Sequence, residues 1–379
     1  MLLWLRSHLS PGDVRSTACR FLLVSFAMIS FVGNSCRGDE SLQQLIGNVA
    51  SNEAVFNNLE VIAEFDYQLR LKDNRFGAKA VRAARDTTRC VYQSDRFYLS
   101  NQHSGRSVAG ESLDTATMAG FDGETTRLRT GQVANIRDGR IDPNELLRPH
   151  TMLLRRAWVG TISLAEYLAQ TQNSRGTNCR TEIDGFERLG DLETVRLRIE
   201  TWNDHQPRRD WRYLWLALER NYLPAKTVFF AAGYSDKIPL EEGIVTKFAE
   251  IEPGIWFPMQ MEINVNDESA ARKGETALSN TNSLVVQKAD LHPEYGIELF
   301  RDIEFPPGSA VYEVTQDNQI TNQYMAGSPE RPDGQGRSWT PYIVLANVLV
   351  FSSMLGAFMV RNRKQRGAIG SPGPEPLQR

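Results

Sequence analysis

Between Ile255 and Val265 every second residue is apolar: Ile255, Phe257, Met259, Met261, Ile263 and Val265. Gln260, Glu262, Asn264 and Asn266 each follow one of the last four. A strand turns successive side chains to opposite faces, so this period of two describes a strand with one buried and one wet face. The pattern recurs in Val61, Ala63, Phe65, Tyr67, Leu69 and Leu71 against Glu64, Asp66, Gln68, Arg70 and Lys72, and again in Val195, Leu197 and Ile199. Buried parallel strands would read as continuous apolar runs, so these are antiparallel. Two connections support that reading. YLWLALERNYLPAKTVFF turns at residues 219–221, and EIEPGIWFP turns at Pro253 and Gly254, where proline presets φ and glycine allows φ > 0.

Helical spacing appears in a few places. Leu42, Leu45, Ile46, Val49, Val55, Phe56 and Leu59 form an apolar stripe over residues 41–59. Asp142, Pro143 and Glu145 have the order of a helix start, ended by Pro149. Ser163 and Glu166 repeat the capping-box spacing before AEYLAQ, which predicts a short helix to about residue 172. Strands resume near Thr181 and run to about Tyr324. The expected fold is therefore α+β: a curved antiparallel sheet with a few helices.

The ends carry addresses. Residues 21–33 read FLLVSFAMISFVG behind Arg15 and Arg20, with Gly33 and Ser35 following, so residues 1–35 have the form of a secretory signal peptide. An uncleaved anchor is the other reading, although the run is short for a bilayer. PYIVLANVLVFSSMLGAFMV is long enough to cross one, and Arg361, Arg363, Lys364 and Arg366 follow it. The chain thus divides into a signal (1–35), an extracytoplasmic domain (36–325), a linker (326–340), a C-terminal transmembrane helix (341–360) and a basic cytoplasmic tail (361–379). The expected localisation is the cell membrane, single-pass, with the main domain on the periplasmic side. No Asn-x-Ser/Thr sequon occurs, which favours a bacterial envelope over a glycosylating pathway. In an oxidising compartment Cys90 and Cys179 are a candidate disulfide, two half-buried thiols being the alternative.

The formal net charge is −3, with both ends basic, so the body is acidic and nucleic acid is not an expected partner. The five histidines have no metal-ligand spacing, and no HExxH, CxxC, GxSxG or P-loop pattern appears. No catalytic residue, metal or cofactor is expected, and the protein is read as a non-enzyme. The acidic pairs Glu241/Glu242 and Asp302/Glu304 read as exposed turn and edge residues. Arg70, Lys72, Arg75, Lys79, Arg82, Arg85 and Arg89 read as a solvated hairpin tip that could alternatively meet anionic lipid.

WRYLWLALERNYLPAKTVFF (211–230) followed by VTKFAEIEPGIWFPMQMEI (245–263) resembles the second half of the sheet in the lipoprotein localisation factor family, the LolA-like fold of bacterial envelopes. The resemblance spans roughly residues 41–305. It implies an incomplete β-barrel whose apolar concave face, under helices, receives acyl chains. Unlike those soluble carriers, this chain carries its own expected anchor. On that resemblance the candidate ligand-binding residues are Phe65, Tyr67, Leu69, Leu197, Ile199, Trp215, Phe257, Met259, Met261 and Ile263, all of which would serve equally as plain core. The expected function is a membrane-anchored binding protein for a lipid or lipoprotein acyl chain. The alternative is an envelope sensor that binds another protein through the same fold.

Overall fold

The computed structural model describes residues 41–70, 81–143, 145–154, 162–172, 176–203, 206–315, 317 and 319–327. The signal, transmembrane and tail segments, most of the linker and much of the basic hairpin tip lie outside the described residues.

The described chain is mostly β, and helices are few and short. One open, curved sheet of 15 strands runs in the order β15-β14-β6-β5-β4-β3-β2-β1-β13-β12-β11-β10-β9-β8-β7. Two meanders build it. The first comprises β1 (Leu59–Leu69), β2 (Val81–Gln93), β3 (Arg96–Ser107), β4 (Thr115–Phe121), β5 (Thr125–Thr130) and β6 (Val133–Asp138). The second comprises β7 (Asn178–Leu189), β8 (Leu192–Asn203), β9 (Gln206–Ala217), β10 (Leu223–Phe230), β11 (Glu241–Glu252), β12 (Ile255–Asn266) and β13 (Leu278–Asp290). Antiparallel pairing of β1 with β13, Phe65 opposite Leu284, sews them together. Both hairpin turns read from the sequence are present. Asn221 and Tyr222 take φ +55 in one, and Gly254 takes φ +77 in the other. Register shifts in β1/β13, β9/β10 and β11/β12 mark bulges, which bend strands and increase twist.

Helix α1 (Leu42–Glu53) starts at Ser41, whose hydroxyl accepts the Gln44 N–H, and passes into a 3-10 turn at Ala54–Asn57. Helix α2 (Leu164–Ala169) is capped by Ser163 as the spacing predicts, but ends three residues earlier than expected. Leu45 and Val49 of α1 and Leu164, Ala165 and Leu168 of α2 bury themselves on Val195, Leu197, Ile199, Leu214 and Leu216. The helices therefore cover β8 and β9, not the whole inner face.

The expected helix after Asp142 is absent; among the described residues of 139–150 no helix forms, and a 3-10 turn follows at Met152–Leu154. Asp142 does not cap, because it pairs with Arg140 (2.7 Å) and Arg148 (3.5 Å). The segment instead drops Leu146, Leu147, Met152 and Leu153 onto the middle strands, alongside Phe257, Met261 and Ile263. Cys90 and Cys179 form no disulfide. Both are buried thiols, on β2 and β7, with seven strands between them in the sheet.

After β13, residues 291–309 cross the outer face of the first meander, including α4 (Glu298–Arg301), and deliver β14 (Ala310–Val314) to β6 in the only parallel pairing among the described strands; β15 (Ile320–Met325) then folds back on β14. A further short helix, α3 (Glu268–Arg272), sits in the β12–β13 connection. The sequence patterns anticipated neither α3 nor α4. Phe300 and Ile303 of this strap bury against Val91 and Tyr98, while Glu60 is enclosed beneath it. Glu60 bonds Lys288 (2.5 Å), Arg89 (2.8 Å) and Tyr295 (3.1 Å). Burial pushes the Glu60 carboxyl up, and these donors outweigh it and hold the group below the ordinary carboxylate range.

Gly120 lets the strap approach, since a Cβ there would collide with the Phe300 carbonyl. Gly120→Ala is expected to lose about 1–3 kcal/mol in urea unfolding. Gly47, inside α1 with open space around it, should respond oppositely: Gly47→Ala is expected to gain roughly 0.5–1 kcal/mol.

Candidate functional site: a two-toned concave cavity

Register places the inner residues of neighbouring strands in rows. One row runs Leu59, Tyr92, Phe97, Phe121; the next Val61, Cys90, Leu99, Ala119; then Ala63, Thr88, Asn101, Thr117; then Phe65, Asp86, His103, Thr115. Along each of β2, β3 and β4 the inner face therefore changes from apolar to polar within four alternate residues. On the other side of the seam, Leu284, Asn282 and Asn280 of β13 repeat the change, whereas Met261, Ile263 and Val265 of β12 stay apolar.

The polar end opens into a cavity of about 530 Å³, lined by Phe65, Asp86, Asn101, His103, Thr115, Thr117, Thr130, Glu145, Ile263 and Asn282. Those residues come from seven adjacent strands, β5 through β12 in sheet order, and from the segment after Asp142. Seven flat strands would span roughly 29 Å at about 4.8 Å each, against roughly 10 Å for a rounded cavity of this size, so the sheet must curl around it.

The polar wall is internally bonded. His103 Nδ1 meets Asp86 Oδ1 at 2.6 Å, Thr88 donates to Asn101 Oδ1 (2.8 Å), and Thr117 and Thr130 share a bond (3.4 Å). Asn282 is 3% exposed; its amide nitrogen reaches Asn280 Oδ1 (3.2 Å) and the Ile263 carbonyl (3.4 Å). Its own Oδ1 has no hydrogen-bond partner among the described residues. Among the described residues, no lysine or arginine lines the cavity.

The candidate ligand residues are distributed unequally. Phe65 and Ile263 line the cavity, and Phe257, Met259 and Met261 lie in the same apolar cluster behind it. Tyr67 and Leu69 continue the inner face of β1 towards its half-exposed end. Leu197 and Ile199 are under the helices, in a separate cluster. Trp215 lies apart, on the face opposite the buried Leu214 and Leu216, where its indole N–H donates to Glu187 and Lys226 sits 5.5 Å from its ring. The apolar concave pocket that the resemblance implies is, in its described lining, a mixed one. Sequence reasoning missed Asp86, Asn101, His103, Thr115, Thr117 and Asn282. The signal that could have found them is the polarity change along a strand, as in Phe97, Leu99, Asn101, His103.

Other expectations resolve nearby. Glu241 is not an exposed turn residue: it is buried on Arg212 (3.3 Å), whose guanidinium also donates to Thr227 and stacks on Phe229, while Glu242 pairs with Lys226. Of the basic stretch, Arg85 pairs with Asp66 and Arg89 with Glu60.

A second cavity, about 320 Å³, lies where α1 meets the segment 140–150, lined by Glu53, Phe56, Tyr92, Arg140, Arg148 and His150 among others. Glu53 accepts the N–H groups of Leu164 (2.6 Å) and Ala165 (3.0 Å), clamping α1 to the start of α2. Burial raises its carboxyl against the pull of those bonds and of Arg148. His150 is fully buried, and its Nε2 donates to the Asn221 carbonyl (2.9 Å). Asn221 in turn bonds Asn52, Gly254 and Trp256, so both hairpin turns close on α1.

The fold and site together define a class: an open, strongly curved antiparallel sheet with a ligand-sized cavity, in the range of about 300–1,000 Å³, on its concave face. No family model matches the chain, and no curated protein matches it. Several solved structures are similar. A DUF1329 family protein from Desulfovibrio piger is 9% identical, covering 69% of this chain and 98% of that one, with a TM-score of 0.38. A domain described as an outer membrane lipoprotein-sorting protein, from Vibrio parahaemolyticus, is 11% identical over 69% and 98%, TM-score 0.36. A porin-like protein from Bacteroides uniformis is 10% identical over 61% and 97%, TM-score 0.23. Likeness at this level assigns the chain to no family and gives it no function.

Burial holds the His150 imidazole neutral down to about pH 4, against an ordinary 6.5. Because the folded value is the lower one, the stability it protects is complete above pH 6.5 and is lost as pH falls towards 4. The loss is expected to approach about 3 kcal/mol in urea unfolding, and His150→Gln should flatten that part of the profile.

Proposed function

We propose that the chain is a membrane-anchored, extracytoplasmic binding protein that holds an amphipathic ligand of the lipid or acylated-peptide class in its concave cavity and catalyses no reaction. The observation that carries this reading is the two-toned lining. Phe65 and Ile263, backed by Phe257, Met259 and Met261, offer an apolar floor. Asp86, Asn101, His103, Thr115, Thr117 and Asn282 offer hydrogen-bonding groups on the facing wall. A purely apolar ligand would strip water from that wall without replacing its hydrogen bonds, and a purely polar one would gain nothing from the floor. A molecule with both parts satisfies both. The anchor rests on residues 341–360 and the four cations after them, which would tether the domain to the extracytoplasmic side of a bilayer; no helix among the described residues is long and apolar enough to cross one. A tethered domain suits capture or hand-over of ligand at the membrane surface, without shuttling.

Native mass spectrometry of the purified full chain, followed by solvent extraction, tests the reading. Near one amphiphile per chain is expected. Phe65→Gln should lower its occupancy at least fivefold, and Ile244→Gln, on the outer face, should leave it unchanged. A folded chain that carries no amphiphile and takes up none on addition would overturn the proposal in favour of a protein partner.

A further inference from the structure

The described residues of the concave cavity's wall are rich in hydrogen-bond acceptors and poor in positive charge. Asp86 and Glu145 contribute two carboxylates, and among the described residues of the lining there is neither lysine nor arginine. His103 turns Nδ1 to Asp86, 2.6 Å away, so this ring nitrogen is spent on the wall itself. Glu145 makes no ion pair among the described residues, although its side chain is half-buried. A separate observation concerns Asn282. Its side-chain oxygen is buried and accepts no hydrogen bond, while its amide nitrogen is already engaged by Asn280 and the Ile263 carbonyl. A buried acceptor left unmatched costs free energy that a donor from a bound molecule would recover. Asn282 sits between the two tones of the cavity, beside Ile263 in register and on the same inner face as Phe65.

We infer that the polar end of the ligand is a primary ammonium group. It would donate to Asn282 Oδ1 and be balanced by Glu145, with its aliphatic part on Phe65 and Ile263. This rests on the amphiphile-binding reading above and specifies the headgroup. Three alternatives fit the wall less well. A phosphate or carboxylate head would bring negative charge against two carboxylates, with no lysine or arginine among the described lining residues to receive it. A quaternary ammonium would match the charge but has no N–H for Asn282. A neutral polyol could donate to Asn282 but would leave the Glu145 charge unbalanced.

Four amphiphiles with the same twelve-carbon chain, titrated into the full chain below their micelle concentrations, separate these cases because their apolar contribution cancels. Dodecylammonium is expected to bind at least tenfold tighter than dodecyl phosphate, and severalfold tighter than dodecyltrimethylammonium or dodecyl maltoside. Glu145→Gln should reduce the ammonium-to-phosphate ratio at least threefold. Asn282→Ala should reduce the ammonium-to-trimethylammonium ratio; if that variant does not fold, the Glu145→Gln ratio and the ranking on the unaltered chain still decide. Raising salt should weaken the ammonium preference, as expected for a partly exposed charge pair. Equal binding of all four, or a preference for phosphate, trimethylammonium or maltoside, would overturn the headgroup assignment and leave the cavity reading intact. Failure of all four to bind would instead overturn the cavity reading.

Discussion

The pairing of β1 with β13 is the constraint on which the molecule depends. Each meander could be built from local hairpins alone, since consecutive strands are neighbours in both. The seam is different, because it joins residues more than 200 positions apart, Glu60 to Asp290 at one end and Leu69 to Asn280 at the other. It merges two half-sheets into one surface and so puts Phe65, Leu284 and Met261 in a single inner row. A slip of one residue would turn every apolar residue of β1 outwards. The outer side of the seam guards against that slip. Glu60 is fixed there by Lys288 of β13, Arg89 of β2 and Tyr295 of the strap, three elements that meet only if the register is right.

The strap completes the arrangement for a topological reason. An open antiparallel sheet that covers its inner face with helices and a loop still leaves its outer face to solvent. Residues 291–309 use Phe300, Ile303 and their neighbours to bury Val91 and Tyr98, residues that point away from the cavity. The outer side of the first meander is thereby packed, and its inner side need not be filled by helices to be stable. The helices are free to lie over β8 and β9, and the inner face of β1 to β5 is left partly open.

Much of the sheet was legible in the sequence because period two is a strong local signal. The alternation from Val61 to Leu71 falls on a strand that runs Leu59–Leu69, with residue 71 outside the described residues, and the 255–265 strand, the turns at Asn221 and Gly254, and the Ser163 cap appear where the pattern puts them. What failed did so where a long-range partner competes with a local preference. Asp142 has the form of a cap, but two arginines take its carboxylate. Glu241 reads as surface, but Arg212 on a neighbouring inner face buries it. The Phe300 strap has no periodic pattern and depends on Gly120, a contact no local window contains. Trp215 looked like core because aromatic residues usually are, yet its neighbours Leu214 and Leu216 take the inner face and alternation leaves it outside.

The site was hidden for a related reason. Alternation divides a strand's residues between two faces and treats each face as uniform. Here the inner face is itself divided, with Leu99 and Asn101 two residues apart on the same side of β3 and in different chemistry. A polar inner residue costs free energy unless it is bonded, and the wall meets that cost partly by cross-strand pairs: Thr88 with Asn101, Thr117 with Thr130, Asp86 with His103. Each pair needs two strands in register, so no single strand of the sequence reveals it. Polar residues kept at such a cost along one continuous band, and gathered around a cavity by curvature, serve packing poorly, since apolar residues of similar size would fill the same rows at lower cost. The binding role proposed above accounts for that placement through a ligand with a polar end.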